Sequence, residues 1–379
     1  MYSSSPTYLV DELVRNRVEL PNLRLIDVGV SGGIHPVWRR WQKHLHAVGL
    51  DALENEIARL QAAEDSNTVR YIGARVVAPD GDQPDTGPTN YALHRASAYA
   101  AAAILDGRLA QKDYSSFLQF HKKLMTGEIA PLPEEANYRN IDDLMRDPFY
   151  SFYAKRFGAG DEPKITKKEG TIDRLLADIE FPSADVLKID TDGYDFDVLR
   201  GADALLRSIV AIEIEVQFHG PTGPLANTFN NIDTFLRAHG FTLMKLETVN
   251  YGRSALPRPF VYDIPAQTEG GPIQWADALY MRDLADTNYA EKFRFSPTRA
   301  QLINLLLIAD AYGLEDVAAE LVLTKPDLIA DCPDAAILDF LSTKTYGTTT
   351  TYRQVIDNFF ENLAPAPSES SESRRHDIG

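Results

Sequence analysis

Among 379 residues there is one cysteine, Cys332. It can close no internal disulfide, which excludes a disulfide-stapled fold and fits a reducing, cytoplasmic setting. Cationic residues are scarce: 38 Lys and Arg stand against 55 Asp and Glu, a formal net charge of −17, with no basic patch to offset it. A field of that sign repels phosphate, so neither nucleic acid nor an anionic membrane surface is an expected partner. Long apolar runs are lacking too. The longest beside a helix-like segment, Ala98 to Leu105, falls far short of the roughly 20 residues that a bilayer span requires. Met1 to Asn16 has neither the basic nor the apolar region of a secretory signal and carries Asp11 and Glu12, so no signal is expected.

What is present is an ordinary globular composition, 44% hydrophobic and 25% charged, in a chain long enough for one large core plus an appended unit. Leu23 to Val28 reads as a mainly apolar strand, and Gly29, Gly32 and Gly33 punctuate the turn after it. A second strand, His46 to Leu50, ends at Asp51. Helical spacing through Leu53, Ile57 and Leu60 follows, then a third strand over Val69 to Val77, closed by Pro79-Asp80-Gly81-Asp82. The alternation lapses between about 91 and 163, an aromatic-rich helical insertion expected to act as a lid over the acceptor. It resumes with strand Ala184 to Ile189, helix Phe196 to Leu206, strand Ile209 to Val216, helix Asn230 to Ala238, and strands at Phe241 to Leu246 and Ala278 to Met281. Strands separated by helices imply right-handed crossovers and a mostly parallel sheet.

Past Asp286 the period becomes purely helical. Ser296-Pro297 reads as an N-cap with proline at the first helical position, Cys332-Pro333 opens another helix, and Val355, Ile356, Phe359, Phe360 and Leu363 mark a third. The end of the chain is rich in Pro, Ser, Glu and Arg and should be disordered. The expected organisation is therefore a lead-in over 1–22, an α/β domain over 23–286 with its insertion at about 91–163, a helical region over 287–363 and a tail over 364–379.

In a parallel sheet, ligands bind outside the carboxyl ends of the strands, where helix N-termini and loops converge. The turn Asp27-Val28-Gly29-Val30-Ser31-Gly32-Gly33 belongs there, although it is neither a strict G-x-G-x-x-G nor a P-loop. Asp51 ends the second strand 24 positions after Asp27, close to the spacing at which a carboxylate accepts two ribose hydroxyls. Together these indicate a nucleoside-containing cofactor. A carboxylate at the head of the turn would repel a pyrophosphate, so Asp27 suits a cofactor with a cationic amino group, such as S-adenosylmethionine.

A second constellation surrounds the fourth strand, where Lys188, Asp190, Asp192, Asp195 and Asp197 crowd ten residues. Here the sequence resembles the FkbM-type methyltransferase family. Its hallmark, a strand ending in Lys-Ile-Asp-Val-Glu-Gly and a helix closing in Leu-Lys/Arg-Gly-Ala, reads Lys188-Ile189-Asp190-Thr191-Asp192-Gly193 and Leu199-Arg200-Gly201-Ala202 in this chain. Gly170 to Leu176, Ile212 to Val216 and Trp275 to Tyr280 are similar to further segments of the family in the same order. Asp51 replaces the family's usual Glu, Thr191-Asp192 replaces Val-Glu, and the insertion is unusually long.

The resemblance implies an α/β, Rossmann-like class I methyltransferase fold. That is a mostly parallel seven-stranded sheet with helices on both faces, here with a helical insertion and a C-terminal helical appendage. It also implies S-adenosylmethionine as cofactor and O-methylation of a sugar, polysaccharide or glycosylated natural product. The candidate cofactor-binding residues are Asp27, Gly29, Gly32, Gly33, Asp51 and Asp190. Methyl transfer needs alignment of oxygen, methyl and sulfur, and a neutral hydroxyl also needs a base. Asp190, Asp192, Glu215 and His219 are the catalytic candidates. Asp190 and Asp192 could hold Mg²⁺, but helix capping by Asp192 and Asp195 is favoured and no metal is assigned. The expected partner is a small-molecule or saccharide acceptor, with self-association through the insertion or the C-terminal helices. Trp38 and Trp41 are expected to pack the first helix. Two other readings stand: a nicotinamide-dependent oxidoreductase, which shares the turn and Asp51, and a non-catalytic binding protein on a methyltransferase fold.

Overall fold

The computed structural model describes residues 1–79, 164–191, 193–251, 267–347 and 350–363. The insertion with its expected lid, Asp192 and the tail lie outside the described residues. Two compact units are present. One comprises Met1, Asn22–Asp283 and Asn288–Ser296, the other Tyr2–Pro21, Leu284–Thr287 and the chain from Pro297.

The first unit is built on β1 (Leu23–Val28), β2 (Leu45–Asp51), β3 (Val69–Gly73), β6 (Val186–Ile189), β7 (Ala211–Gln217), β8 (Phe241–Tyr251), β9 (Gln267–Thr268) and β10 (Ile273–Arg282). They form one sheet in the order β3-β2-β1-β6-β7-β10-β8-β9. Neighbours from β3 to β7 pair parallel, and β10 inserts antiparallel between β7 and β8. This is the expected Rossmann-like methyltransferase arrangement, with the two-residue β9 added at an edge. Leu25, Ile26, Leu187, Ile212 and Ile214 are buried on these strands, because a parallel strand is covered on both faces and reads as a nearly continuous apolar run. A pair of short strands, β4 (Arg75–Val76) and β5 (Glu169–Gly170), continues from the end of β3.

Helices α2 (Glu54–Ala63), α3 (Ile172–Ala177), α4 (Asp195–Arg200) and α5 (Phe229–Ala238) accompany the sheet. The helix expected over Phe196 to Leu206 is shorter and broken. It stops at Arg200, and a 3₁₀ turn spans Leu205–Arg207. The break has a cause: the Asp173 carboxylate accepts from Ala204 N at 2.7 Å and Leu205 N at 3.0 Å, taking amides that a continuous helix would use. Trp38 and Trp41 lie buried on a 3₁₀ segment rather than an α-helix, interrupted by Gln42 at φ +51°. A short helix, α6 (Tyr289–Phe293), closes this unit.

The second unit gathers α1 (Leu9–Arg15), α7 (Arg299–Ala311), α8 (Glu315–Thr324), α9 (Asp334–Tyr346) and α10 (Tyr352–Leu363). Thr298, not Ser296, caps α7. Its hydroxyl accepts from Gln301 N while the Gln301 side chain accepts from Thr298 N, a full capping box. Helix α8 was not expected, although Ala318, Leu321 and Val322 give it a buried stripe at helical spacing. No helix among the described residues is long and apolar enough to cross a membrane.

Candidate active site

The order of strands reverses between β1 and β6, so the turn after β1 lies beside the end of β6, and Asp190 N donates to Val28 O at 2.9 Å. The close approach fixes Gly29. Its φ is +84°, and a Cβ there would stand 1.7 Å from Asp190 O. Gly33, at φ +92°, is crowded by Leu60. Gly32 differs: its φ is +87° and a Cβ would meet nothing within 4 Å. Gly29 and Gly33 thus serve packing, and Gly32 faces open space.

At the end of β2 the Asp51 carboxylate accepts from Ser31 Oγ at 3.0 Å and from Leu53 N at 2.8 Å. Burial raises its pKa above the usual carboxylate range. Glu56, in the first turn of α2, accepts from Gly32 N at 2.9 Å and pairs with Arg59. Sequence reasoning missed it. Its place five residues past Asp51, on the turn of helix facing the glycine loop, was the available signal.

Register assembles the rest. Asp27 pairs with Lys188 across β1 and β6, Lys188 with Glu213 across β6 and β7, and Glu215 with Asp277 across β7 and β10. Asp277 is opposite Glu247 on β8. Alternate residues of a strand share a face, so one face of the sheet, toward the carboxyl ends of its parallel strands, carries a continuous row of charge.

Lys188 Nζ lies 3.2 Å from Asp190 Oδ2 and 3.7 Å from Asp27 Oδ1. Asp27 is 2% exposed, and its Oδ1 makes no hydrogen bond. Burial pushes Asp27 up to about 6 against the pull of Lys188, with Glu213 and Asp190 adding to the rise. The Lys188 pKa is raised, because Asp27, Asp190 and Glu213 together outweigh its burial. Asp277 is pushed up to about 7 by burial and then by the negative charges of Glu213 and Asp190. Neither Lys188 nor Asp277 was singled out as a site residue on sequence grounds.

The expected capping role of Asp195 is corrected. The fully buried carboxylate accepts from Thr191 N (2.8 Å), Thr191 Oγ1 (2.9 Å), Gly193 N (3.2 Å) and Asn227 Nδ2 (3.0 Å). It ties the turn after β6 together. The helix is capped instead by Asn227, whose Oδ1 accepts from Phe196 N at 2.8 Å. Nothing local in the sequence points to a partner 31 residues away. His219 follows β7 but its Nε2 is 2.7 Å from Ile273 O, which pins the ring to the start of β10. The structure therefore brings Asp27, Asp190 and Glu215 to one face, sets Gly32 and Asp51 at the neighbouring strand end, and engages His219 at β10. Among the described residues, no group of three or more His, Cys, Asp and Glu is placed to hold a metal ion.

Residues 133–243 match the family model for the methyltransferase FkbM domain. Over that stretch the chain is similar to the FkbM methyltransferase domain. The matched stretch includes Lys188 to Ala202 and all of β6 and β7, the strands that supply Lys188, Glu213 and Glu215. Two solved methyltransferases show a distant likeness, each at 10% identity over 74% of this chain. One is a TehB-like SAM-dependent methyltransferase from Corynebacterium glutamicum (TM-score 0.24, 90% of that chain covered). The other is a precorrin-6y C5,15-methyltransferase from Geobacter metallireducens (TM-score 0.23, 93% covered). Scores this low add nothing to what the strand order shows. No curated protein matches the methyltransferase.

Proposed function

We propose that this methyltransferase uses S-adenosylmethionine to O-methylate a hydroxyl of a sugar, polysaccharide or glycosylated natural product. The observation that carries the reading is the buried Asp27 Oδ1, which has no hydrogen bond, together with the Asp51 carboxylate on Ser31 and an exposed Gly32 where a Cβ would meet nothing within 4 Å. The donor set fits the cofactor's chemistry. Asp51 would hold the ribose hydroxyls, exchanging its bond to Ser31, and Asp27 would face the cationic amino group. When bound, the cofactor supplies an electrophilic methyl on a sulfonium that departs as a neutral thioether.

The alternative nicotinamide cofactor suits these residues poorly. A pyrophosphate needs free backbone N–H groups at the turn, whereas Gly32 N is taken by Glu56, and Asp27, Asp51 and Glu56 would all repel it. The non-catalytic reading is disfavoured for a different reason: a binding scaffold has no need of a buried carboxylate oxygen, Asp27 Oδ1, that makes no hydrogen bond, which costs stability.

On the acceptor side the protein must orient a hydroxyl and take its proton. Asp190, half-exposed and paired with Lys188, and Glu215 on the same face belong to this reading, and Asp192 and His219 complete the set of candidates. The reading places the enzyme in the cytoplasm, consistent with its lone cysteine, and assigns catalysis to residues 23–286. Self-association through the C-terminal helices is part of it, supported by the exposed Phe359 and Phe360 of α10.

Calorimetric titration with S-adenosylhomocysteine and with NADH tests the cofactor. Binding of the first alone is expected, and binding of NADH alone would reverse the reading. Transfer of labelled methyl from S-adenosylmethionine to a panel of glycosides and polysaccharides tests the acceptor, and a panel that stays unlabelled would remove the saccharide class.

A further inference from the structure

In antiparallel sheet, directly opposed side chains stand close together, and like charges there are destabilising. Glu215, Asp277 and Glu247 nevertheless occupy opposed positions on β7, β10 and β8. Glu247 has a counter-charge in the amino group of Met1. Asp277 has none within ion-pair distance, and no hydrogen bond reaches its carboxylate among the described residues, although it is largely buried. The row continues through Glu213 and Lys188 to the unbonded Oδ1 of Asp27, so Asp277 shares a face with the cofactor-side carboxylate.

We propose that Asp277 is the residue that takes the proton from the acceptor hydroxyl. The proposal rests on the O-methyltransferase reading and deepens it. The hydroxyl proton passes to an Asp277 oxygen, and the electron pair freed on the acceptor oxygen forms the new O–C bond. The pair of the broken C–S bond stays on sulfur, so a carboxylate and a sulfonium become a carboxylic acid and a thioether.

Asp277 suits this role better than Asp190, because the Asp190 carboxylate is already engaged by Lys188 Nζ at 3.2 Å whereas Asp277 has no such partner among the described residues. The groups facing Asp277 are Glu213 and Glu215 from β7, Glu247 and Lys245 from β8, Lys188 and Asp190 from β6, and the Met1 amine. Glu213 and Asp190 raise its proton affinity, Lys188 and the amine lower it, and burial decides the balance in favour of the proton. A base poised near neutrality combines adequate ionisation with useful basicity.

Carbon-13 NMR of carboxyl-labelled aspartate in the full chain, with S-adenosylhomocysteine present, reads the group without any acceptor. One aspartate should titrate near pH 7; it should vanish in Asp277→Asn and move to lower pH in Glu213→Gln. Absence of such a resonance, or its persistence in Asp277→Asn, overturns the assignment. With an acceptor from the glycoside panel, Asp277→Asn should lower kcat at least 100-fold while S-adenosylhomocysteine affinity stays within threefold; an unchanged kcat overturns the role. Wild-type protein that fails to bind S-adenosylhomocysteine would instead defeat the cofactor reading, and the NMR result would still stand or fall separately.

Discussion

Each unit buries a lysine among carboxylates, and the two arrangements differ in completeness. In the helical unit, Asp310 of α7 accepts from Leu9 N at 2.8 Å and from Lys344 Nζ at 2.5 Å, while Lys344 also reaches Glu315 at 3.0 Å and lies over the Tyr8 ring. The Lys344 and Asp310 side chains are only 2% and 1% exposed. The cluster joins α1 to α7 and α9 and leaves both Asp310 oxygens bonded. In the sheet unit, Lys188 serves two carboxylates at longer range, Asp27 keeps an oxygen without a hydrogen bond, and Asp277 has no bond at all among the described residues. A buried charge network fully satisfied within the chain holds a fold together; one left open has capacity for something outside the chain.

The largest effect should come from breaking the closed cluster. Lys344→Ala leaves Asp310 as an uncompensated buried charge and should cost about 3–5 kcal/mol in urea unfolding, read from the helical unit's transition. A cost below about 1 kcal/mol would mean that the cluster is not holding α1 in place. Removal of Asp51 comes next: Asp51→Ala should weaken S-adenosylhomocysteine binding by about 2–3 kcal/mol through the loss of two ribose hydrogen bonds. Unchanged affinity by calorimetry would take Asp51 out of the site.

The open network predicts a change of opposite sign. Asp27 in the folded protein binds its proton up to about pH 6, above the range of an unfolded carboxylate. The folded state therefore holds more protons between these values, and stability from Asp27 is present at low pH and lost as pH rises through about 6. Asp27→Asn mimics the protonated form and should stabilise the chain at pH 8 by on the order of 1–3 kcal/mol, while weakening cofactor binding. A variant that loses stability at pH 8 would show that the ion pair with Lys188 outweighs desolvation.

Much of the sheet was legible from local signals. The apolar run Leu23 to Val28, the glycines after it and the alternation of strands and helices are patterns of near neighbours, and burial on both faces enforces them. Leu205 and Asn227 show where such reading stops. Asp173 reaches Leu205 N from 32 residues away, and Asn227 caps α4 from 31 away, so neither the broken helix nor its cap has a local signature. The site divides the same way. Asp51, which ends β2, and Asp27, one residue before the end of β1, stand out in the sequence by position and spacing. Asp277 was not, because its meaning depends on β10 reversing direction to lie against Glu215.

The amino-acid sequence by itself determined the class of sheet, the turn after β1 and the motif around Lys188, since these follow from hydrophobic period, glycine conformation and residue order. Only the tertiary structure decided which charges would be neighbours. Strand register, fixed by pairing across the sheet, set Asp27, Lys188, Glu213 and Asp277 on one face and placed Asp195 under its turn, and burial then raised the proton affinity of Asp27 and Asp277.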